Sequence, residues 1–184
     1  MKMGERRLTT KERQAFIHCA EKILASETVQ KMKQYPQHGS TNALCHMVSV
    51  AWKAYSLAVH LEERWGIRFD RESIIRGALL HDLFLYDWHD PNNGHKLHGF
   101  SHPYTALENA EKLFFLNQRE RNIIKRHMFP FTPIPPKYRE SLLVSYADKV
   151  CSTNETLHRK KLCGACHVCP LRRDRRLGAG EGAY

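Results

Sequence analysis

No stretch of this chain approaches the roughly 18 to 20 consecutive apolar residues that a membrane-spanning helix needs. The opening, MKMGERRLTTKERQ, is polar with no apolar signal stretch behind it, so a soluble cytoplasmic protein is expected. A Gly-rich phosphate loop and a convincing βαβ alternation are also missing, which argues against a doubly wound nucleotide-binding fold, and no internal repeat suggests a solenoid. Cysteine is scarce: six residues, at 19, 45, 151, 163, 166 and 169. Without an export signal their even number is no argument for a disulfide framework, and reduced thiols are expected.

What remains is a polar, helix-patterned chain of 184 residues, long enough for one continuous core without disulfides or a partner. We expect residues 1–160 to form a single domain and residues 161–184 a basic, Cys-containing, flexible tail. The net charge is +10, and residues 159–184 hold seven Lys/Arg against two acids, so half of the excess lies there. A basic body steers anionic substrates toward a cleft, and the same balance suits nucleic acid; charge alone does not choose.

The spacing of apolar residues predicts an all-α bundle of about six helices. Thr9 and Glu12 resemble a capping box, and Ala15, Phe16, Cys19, Ile23 and Leu24 continue at helical spacing, which places a first helix over about 10–33, ended by Tyr35-Pro36. A second, over about 41–65, carries Met47, Val50, Ala54, Leu57, Ala58 and Leu61 on one face and is closed by Gly66. Asp70 caps a third, which delivers His81 and Asp82 near its end. The segment 86–101 reads as a long surface loop, Ser101 as the cap of a fourth helix with His102 and Pro103 in its first turn, and Asn117 with Glu120 as the box-like start of a fifth ending near His127. A last helix over about 137–158 places Leu142, Leu143, Tyr146, Val150 and Leu157 on an apolar side with Asp148 among them.

The chemistry-bearing pattern reads His46, 34 residues, His81-Asp82, 19 residues, His102, 24 residues, His127, 20 residues, Asp148. Each of these falls on a different predicted helix or at its end. Neutral imidazole suits a borderline transition metal, and a carboxylate can share its two oxygens between two ions, so the adjacent His81 and Asp82 can serve two metals. Mixed His and carboxylate ligation suits Fe, Mn, Co, Ni or Zn better than an all-oxygen Mg site.

The segments HMVSVAWKAYSLA from His46, GALLHDLF, FSHPYTALENA, IIKRHMFP and SYADKV resemble the successive motifs of the HD-domain metal-dependent phosphohydrolases, over roughly residues 38–152. SHP before an Ala-rich helix and RH closing the next resemble the subset whose extra histidines bind a second metal, some members of which hydrolyse dinucleoside polyphosphates or cyclic nucleotides. The resemblance implies that His46, His81, Asp82 and Asp148 hold one divalent ion and that Asp82, His102 and His127 hold a second, with Asp82 as the bridge. It further implies a metal-bound, bridging hydroxide that attacks a phosphorus ester or anhydride, most plausibly of a nucleotide. Two ions about 3.5 to 4 Å apart can acidify a shared water, polarise a phosphoryl oxygen and stabilise the departing oxygen without a protein nucleophile.

Lys149 and Arg126, next in sequence to Asp148 and His127, are candidate donors to a substrate phosphate; solvated helix charges are the plainer alternative. His38, where a loop enters the helix of His46, is a candidate contact to substrate or to a ligand, or a simple turn histidine. His89, His95 and His98 crowd the predicted rim loop, which also carries Trp88. Cys163, Cys166 and Cys169 have metal-site spacing but are one ligand short, with Cys151 or His167 as uncertain fourths. The expected partner is a small phosphorylated molecule, with nucleic acid possible on charge but not favoured. Two rival readings stay open: a di-iron oxygenase on the same ligands, and an inactive scaffold that binds through its basic tail.

Overall fold

The computed structural model describes residues 8–39, 41–90, 92 and 98–157. The Cys163, Cys166 and Cys169 tail and His95 lie outside them. Among the described residues seven α-helices follow one another: α1 (Thr10–Leu24), α2 (Glu27–Gln30), α3 (Ala43–Trp65), α4 (Arg71–Leu80), α5 (His98–Leu113), α6 (Gln118–Arg126) and α7 (Arg139–Leu157), with a 3₁₀ turn over Lys31–Gln34. Among the described residues there is no strand; one isolated bridge, Pro36 to Asn42, pinches the loop before α3.

Local signals account for most helix ends. The Thr9–Glu12 and Asn117–Glu120 boxes are both closed, and Asp70 accepts from the Ser73 N–H at 3.0 Å. Gly66 ends α3 at φ +67°, a left-handed cap that needs no Cβ. Two boundaries differ from expectation. The first helix stops at Leu24 because Ser26 is extended, and the Gln30 side-chain amide donates to the Leu24 carbonyl at 2.6 Å, taking up the bond the break leaves open. The turn lets Val29 and Met32 enter the core alongside Phe16, Ala20 and Ile23. At the other boundary α5 begins at His98, so Pro103 lies in its second turn and Ser101 is not its cap.

The core gathers around α3, whose Met47, Val50, Ala54 and Ala58 are buried as the spacing predicts. Helix α4 is inserted between α3 and α6, and its contact with α6 is close because a Cβ at Gly77 would stand 2.8–2.9 Å from three Ile123 side-chain carbons. Arg76 to Glu120 (2.5 Å) and Asn117 to Ser73 (2.9 Å) tie the same two helices.

Helix α7 overturns the sequence expectation about its inner face. Leu142, Tyr146 and Leu157 are exposed, whereas Glu140, Ser141, Ser145, Asp148 and Glu155 are buried with Val144 and Ala147. Apolar spacing selected the outer side because the inner side faces a polar cluster, where hydrogen-bonding side chains replace hydrocarbon.

Candidate metal centre

Five elements each bring candidate ligands to one buried point. His46 stands in the first turns of α3, His81 is the C-cap of α4 with Asp82 next to it, His102 is on α5, His127 is the C-cap of α6, and Asp148 is on α7. None of the six is more than 5 % exposed.

Hydrogen bonds on the outer side of the rings fix what the inner side offers. His81 Nδ1 lies 2.8 Å from the Ala78 carbonyl and His127 Nδ1 2.8 Å from the Ile124 carbonyl. A carbonyl only accepts, so Nδ1 carries the proton in both rings and each Nε2 presents a lone pair. His46 Nδ1 lies 2.8 Å from Glu155 Oε2, and its Nε2 faces Asp148 Oδ1 at 3.1 Å.

The two oxygens of Asp82 face different partners. Oδ2 lies 3.4 Å from His81 Nε2 and 3.7 Å from His46 Nε2, while Oδ1 lies 3.2 Å from His102 Nε2 and 3.4 Å from His127 Nε2. The Nε2 atoms of His102 and His127 are 2.8 Å apart. His46–His81–Asp148 and His81–Asp82–His127 each bring their ligand atoms within 4.8 Å of one another, and His102, His127 and Asp82 Oδ1 lie within 3.4 Å of one another.

The donor set fits a divalent cation by what it leaves unmet. Among the described residues, His81 Nε2 and Asp82 Oδ1 are buried without a hydrogen-bond partner. A protein interior rarely leaves such atoms, because each has given up water without a hydrogen bond in return. Converging imidazole lone pairs and carboxylate oxygens are the ligands a transition metal takes.

Electrostatics follow the same geometry. Burial disfavours the charged form of Asp148, but hydrogen bonding from His46 and the Lys149 charge outweigh it and hold the carboxyl far below its usual range. Asp82 is likewise held low against burial by His81, His102 and His127. Burial and its cationic-capable neighbours push His127 down to about 3, which keeps the ring neutral and able to ligate. His46 goes the other way: burial lowers it, but the bonds and charges of Asp148 and Glu155 raise it to about 10. An ion bound there must displace that proton.

The remaining candidates sort by contact. Lys149 is half-buried and donates to the His127 carbonyl (2.7 Å) and Asp148 Oδ2 (2.8 Å). The His38 ring stands edge-on to His46 at 5.4 Å between centroids, and burial first, then His46, lowers its pKa. Arg126 makes no hydrogen bond or ion pair to the cluster among the described residues. His89 is exposed beside Trp88 and Asp87. Sequence reasoning missed three supports. Glu155 orients His46 from seven positions beyond Asp148, a helical spacing that puts both on one face of α7 and was a usable signal. Ser145 Oγ lies 2.8 Å from both the His127 and Phe129 carbonyls. Gln37, which no spacing marks, donates to Asp82 Oδ2 at 2.6 Å and accepts from the Trp88 indole at 3.3 Å.

Comparison with known proteins places this centre in a wider context. The HD domain family matches residues 43–153, which include all six clustered side chains. A dihydroneopterin 2',3'-cyclic phosphate phosphodiesterase of Methanocaldococcus jannaschii is 30% identical over 141 residues, 74% of this chain and 53% of that protein. The chain thus spans about half the length of that curated relative. No solved structure matches significantly. With a family match over most of its length and the paired His81 and Asp82 at the convergence of its helices, the chain belongs to the HD domain family.

Proposed function

We propose that the protein is a metal-dependent phosphohydrolase that cleaves a phosphorus ester or anhydride in a small phosphorylated molecule, most specifically a nucleotide or a comparable heterocyclic phosphate. The carrying observation is the convergence of four imidazole Nε2 atoms on the two oxygens of Asp82, at 3.2–3.7 Å, with two buried atoms left unpartnered. The named activity of the archaeal relative, a cyclic phosphodiester hydrolysis, supports the same reaction class.

In this reading His46, His81, Asp82 and Asp148 hold one ion and Asp82, His102 and His127 a second. Divalent ions held there would lower the pKa of bound water and polarise a phosphoryl oxygen. The protein's own groups do the rest. Asp82, kept ionised by the surrounding rings, spans both ligand sets, and Gln37 holds its plane. Lys149, anchored to the His127 carbonyl yet partly exposed, offers a charge-assisted donor to an incoming phosphate. His38, its pKa lowered by burial and then by His46, stands beside His46 and contacts substrate in this proposal. Residues 1–160 make up the hydrolase unit in this proposal, with 161–184 as a tail.

The test is a metal-supplemented screen against phosphomonoesters, cyclic nucleotides and dinucleoside polyphosphates, with metal content measured on the same preparation. One or two transition metals per chain and phosphate-ester turnover are expected, both lost in Asp82→Ala. Full metal retention and activity in that variant would refute the reading.

A further inference from the structure

Away from the metal centre, a cavity of about 390 Å³ opens where the starts of α4, α6 and α7 meet. Its wall carries four cations, Arg68, Arg119, Lys137 and Arg139, against two acids, Asp70 and Glu140. The two acids offset only half of that charge, and both are held by bonds within the fold. Asp70 spends both oxygens on Ser73, at 3.0 Å to the backbone N–H and 2.8 Å to the hydroxyl, and Glu140 accepts the Asp70 N–H at 3.1 Å with only 4 % of its surface exposed. Arg119 lies within 3.8 Å of Glu140 and 4.0 Å of Asp70, which accounts for one cation. Among the described residues, Arg68 and Lys137 pair with no carboxylate.

Like charges gathered in one concavity repel, and the protein holds them there by other contacts. Arg139 donates to the Arg68 carbonyl at 3.1 Å, and the Tyr138 ring takes Arg119 at 5.4 Å and Lys137 at 5.7 Å from its centroid. These contacts hold Arg139, Arg119 and Lys137 at the wall, and the focused positive potential of such a cleft attracts anions. Asp70 and Asn117 already occupy the first N–H groups of α4 and α6, so the attraction comes from the side chains.

From these observations we propose that this cavity is a second ligand site, distinct from the metal centre, for a small anion bearing two or more phosphate charges. Its size falls in the range of small-molecule pockets, about 300 to 1,000 Å³. Lys and Arg at the rim match phosphate oxygens as point charge and fork, respectively. The site is physically linked to the metal centre. Asp70 and His81 cap opposite ends of α4, about 16 Å apart at 1.5 Å per residue, and Arg119 and His127 stand about 12 Å apart along α6. An anion that draws the starts of these helices together acts on elements whose far ends carry the metal ligands.

Calorimetric titration of the full chain with inorganic pyrophosphate at low salt tests the site. We expect a binding event that weakens at least tenfold in Arg68→Ala/Lys137→Ala, is kept in Arg68→Lys/Lys137→Arg, and persists in Asp82→Ala, whose metal centre is disabled. Both exchanged residues are exposed, and circular dichroism verifies that each variant is folded. An isotherm unchanged in the double alanine variant, or an event abolished by Asp82→Ala alone, overturns the proposal. So does tighter binding of a single-stranded RNA oligonucleotide that depends on the same two residues, since the occupant is then a polymer.

Discussion

Replacing Gly77 by alanine puts one methyl group into the seam on which the metal centre depends. The new Cβ would stand 2.8 Å from Ile123 Cδ1 and 2.9 Å from its Cβ and Cγ2. Carbon contacts are optimal at about 3.5–4.0 Å, so at least roughly 0.6 Å must be regained. Rotating Ile123 removes only Cδ1 and Cγ2; its Cβ is fixed to the backbone, so α6 itself must withdraw from α4. Overpacking of this kind costs about 1–3 kcal/mol, offset by the ~0.5–1 kcal/mol that alanine gains over glycine within a helix. The net expectation is a loss of up to about 2.5 kcal/mol, centred near 1 kcal/mol and read as a lower urea midpoint. The withdrawal also has a direction. His81 and His127 stand one turn beyond Gly77 and Ile123, with ring centroids 4.8 Å apart, so the side of the centre built on His127 separates from Asp82. Metal held by His46, His81 and Asp148 should survive, while a second equivalent is lost. A Gly77→Ala protein as stable as the parent, with unchanged metal content, would refute the view that this close contact sets the site.

Three further expectations address the surroundings. Glu155→Leu leaves His46 Nδ1 without its acceptor and should weaken metal binding by about 10–100-fold in competition titrations, whereas Glu155→Gln, whose amide oxygen still accepts, should recover most of it. Removing the ion with a chelator should lower the melting temperature, because two buried atoms return to an unpartnered state; an unchanged transition would contradict the fit of the cluster to a cation. Burial, then Glu72, raises the Cys19 thiol to about 11 from 9.0. The protonated form is thus favoured by folding, a contribution fully present below about pH 9 and lost as pH rises through about 11. Near pH 8, iodoacetamide should label Cys19 about a hundredfold more slowly in the folded than in the unfolded chain, by peptide mass spectrometry.

Three helix starts were legible because they are written in short-range chemistry: Thr9, Asp70 and Asn117 each cap a helix, and all can be read within four residues of sequence. The six clustered side chains were legible as an ordered pattern because they are spread over five elements, and their spacing survives whatever the loops do. Long-range satisfaction was not legible. Leu142, Tyr146 and Leu157 looked like the inner face of α7 since periodicity weighs hydrocarbon, while the side that is buried holds Ser145, Asp148 and Glu155. The break after Leu24 depends on a side chain six residues on, Gln30, and Gln37 reaches Asp82 across 45 residues. Neither pairing has a local signature.

The placement of His81 and His127 at helix C-caps gives one hydrogen bond two consequences. The last carbonyls of a helix lack intrahelical partners. His81 donates to the Ala78 carbonyl in the last turn of α4, and His127 to the Ile124 carbonyl in the last turn of α6, each at 2.8 Å. Both bonds satisfy a carbonyl that the fold would otherwise leave buried, and both force the proton onto Nδ1, so Nε2 turns inward as a lone pair. The helix ends themselves carry partial negative charge, which favours a cation at the point where they meet. Exchanging either histidine for a side chain without an Nδ1 donor therefore removes a ligand, a cap and a tautomer constraint together. Asp148, on the body of α7 rather than at its end, has no such carbonyl to cap, and takes its orientation from His46, Lys149 and Ser152 instead.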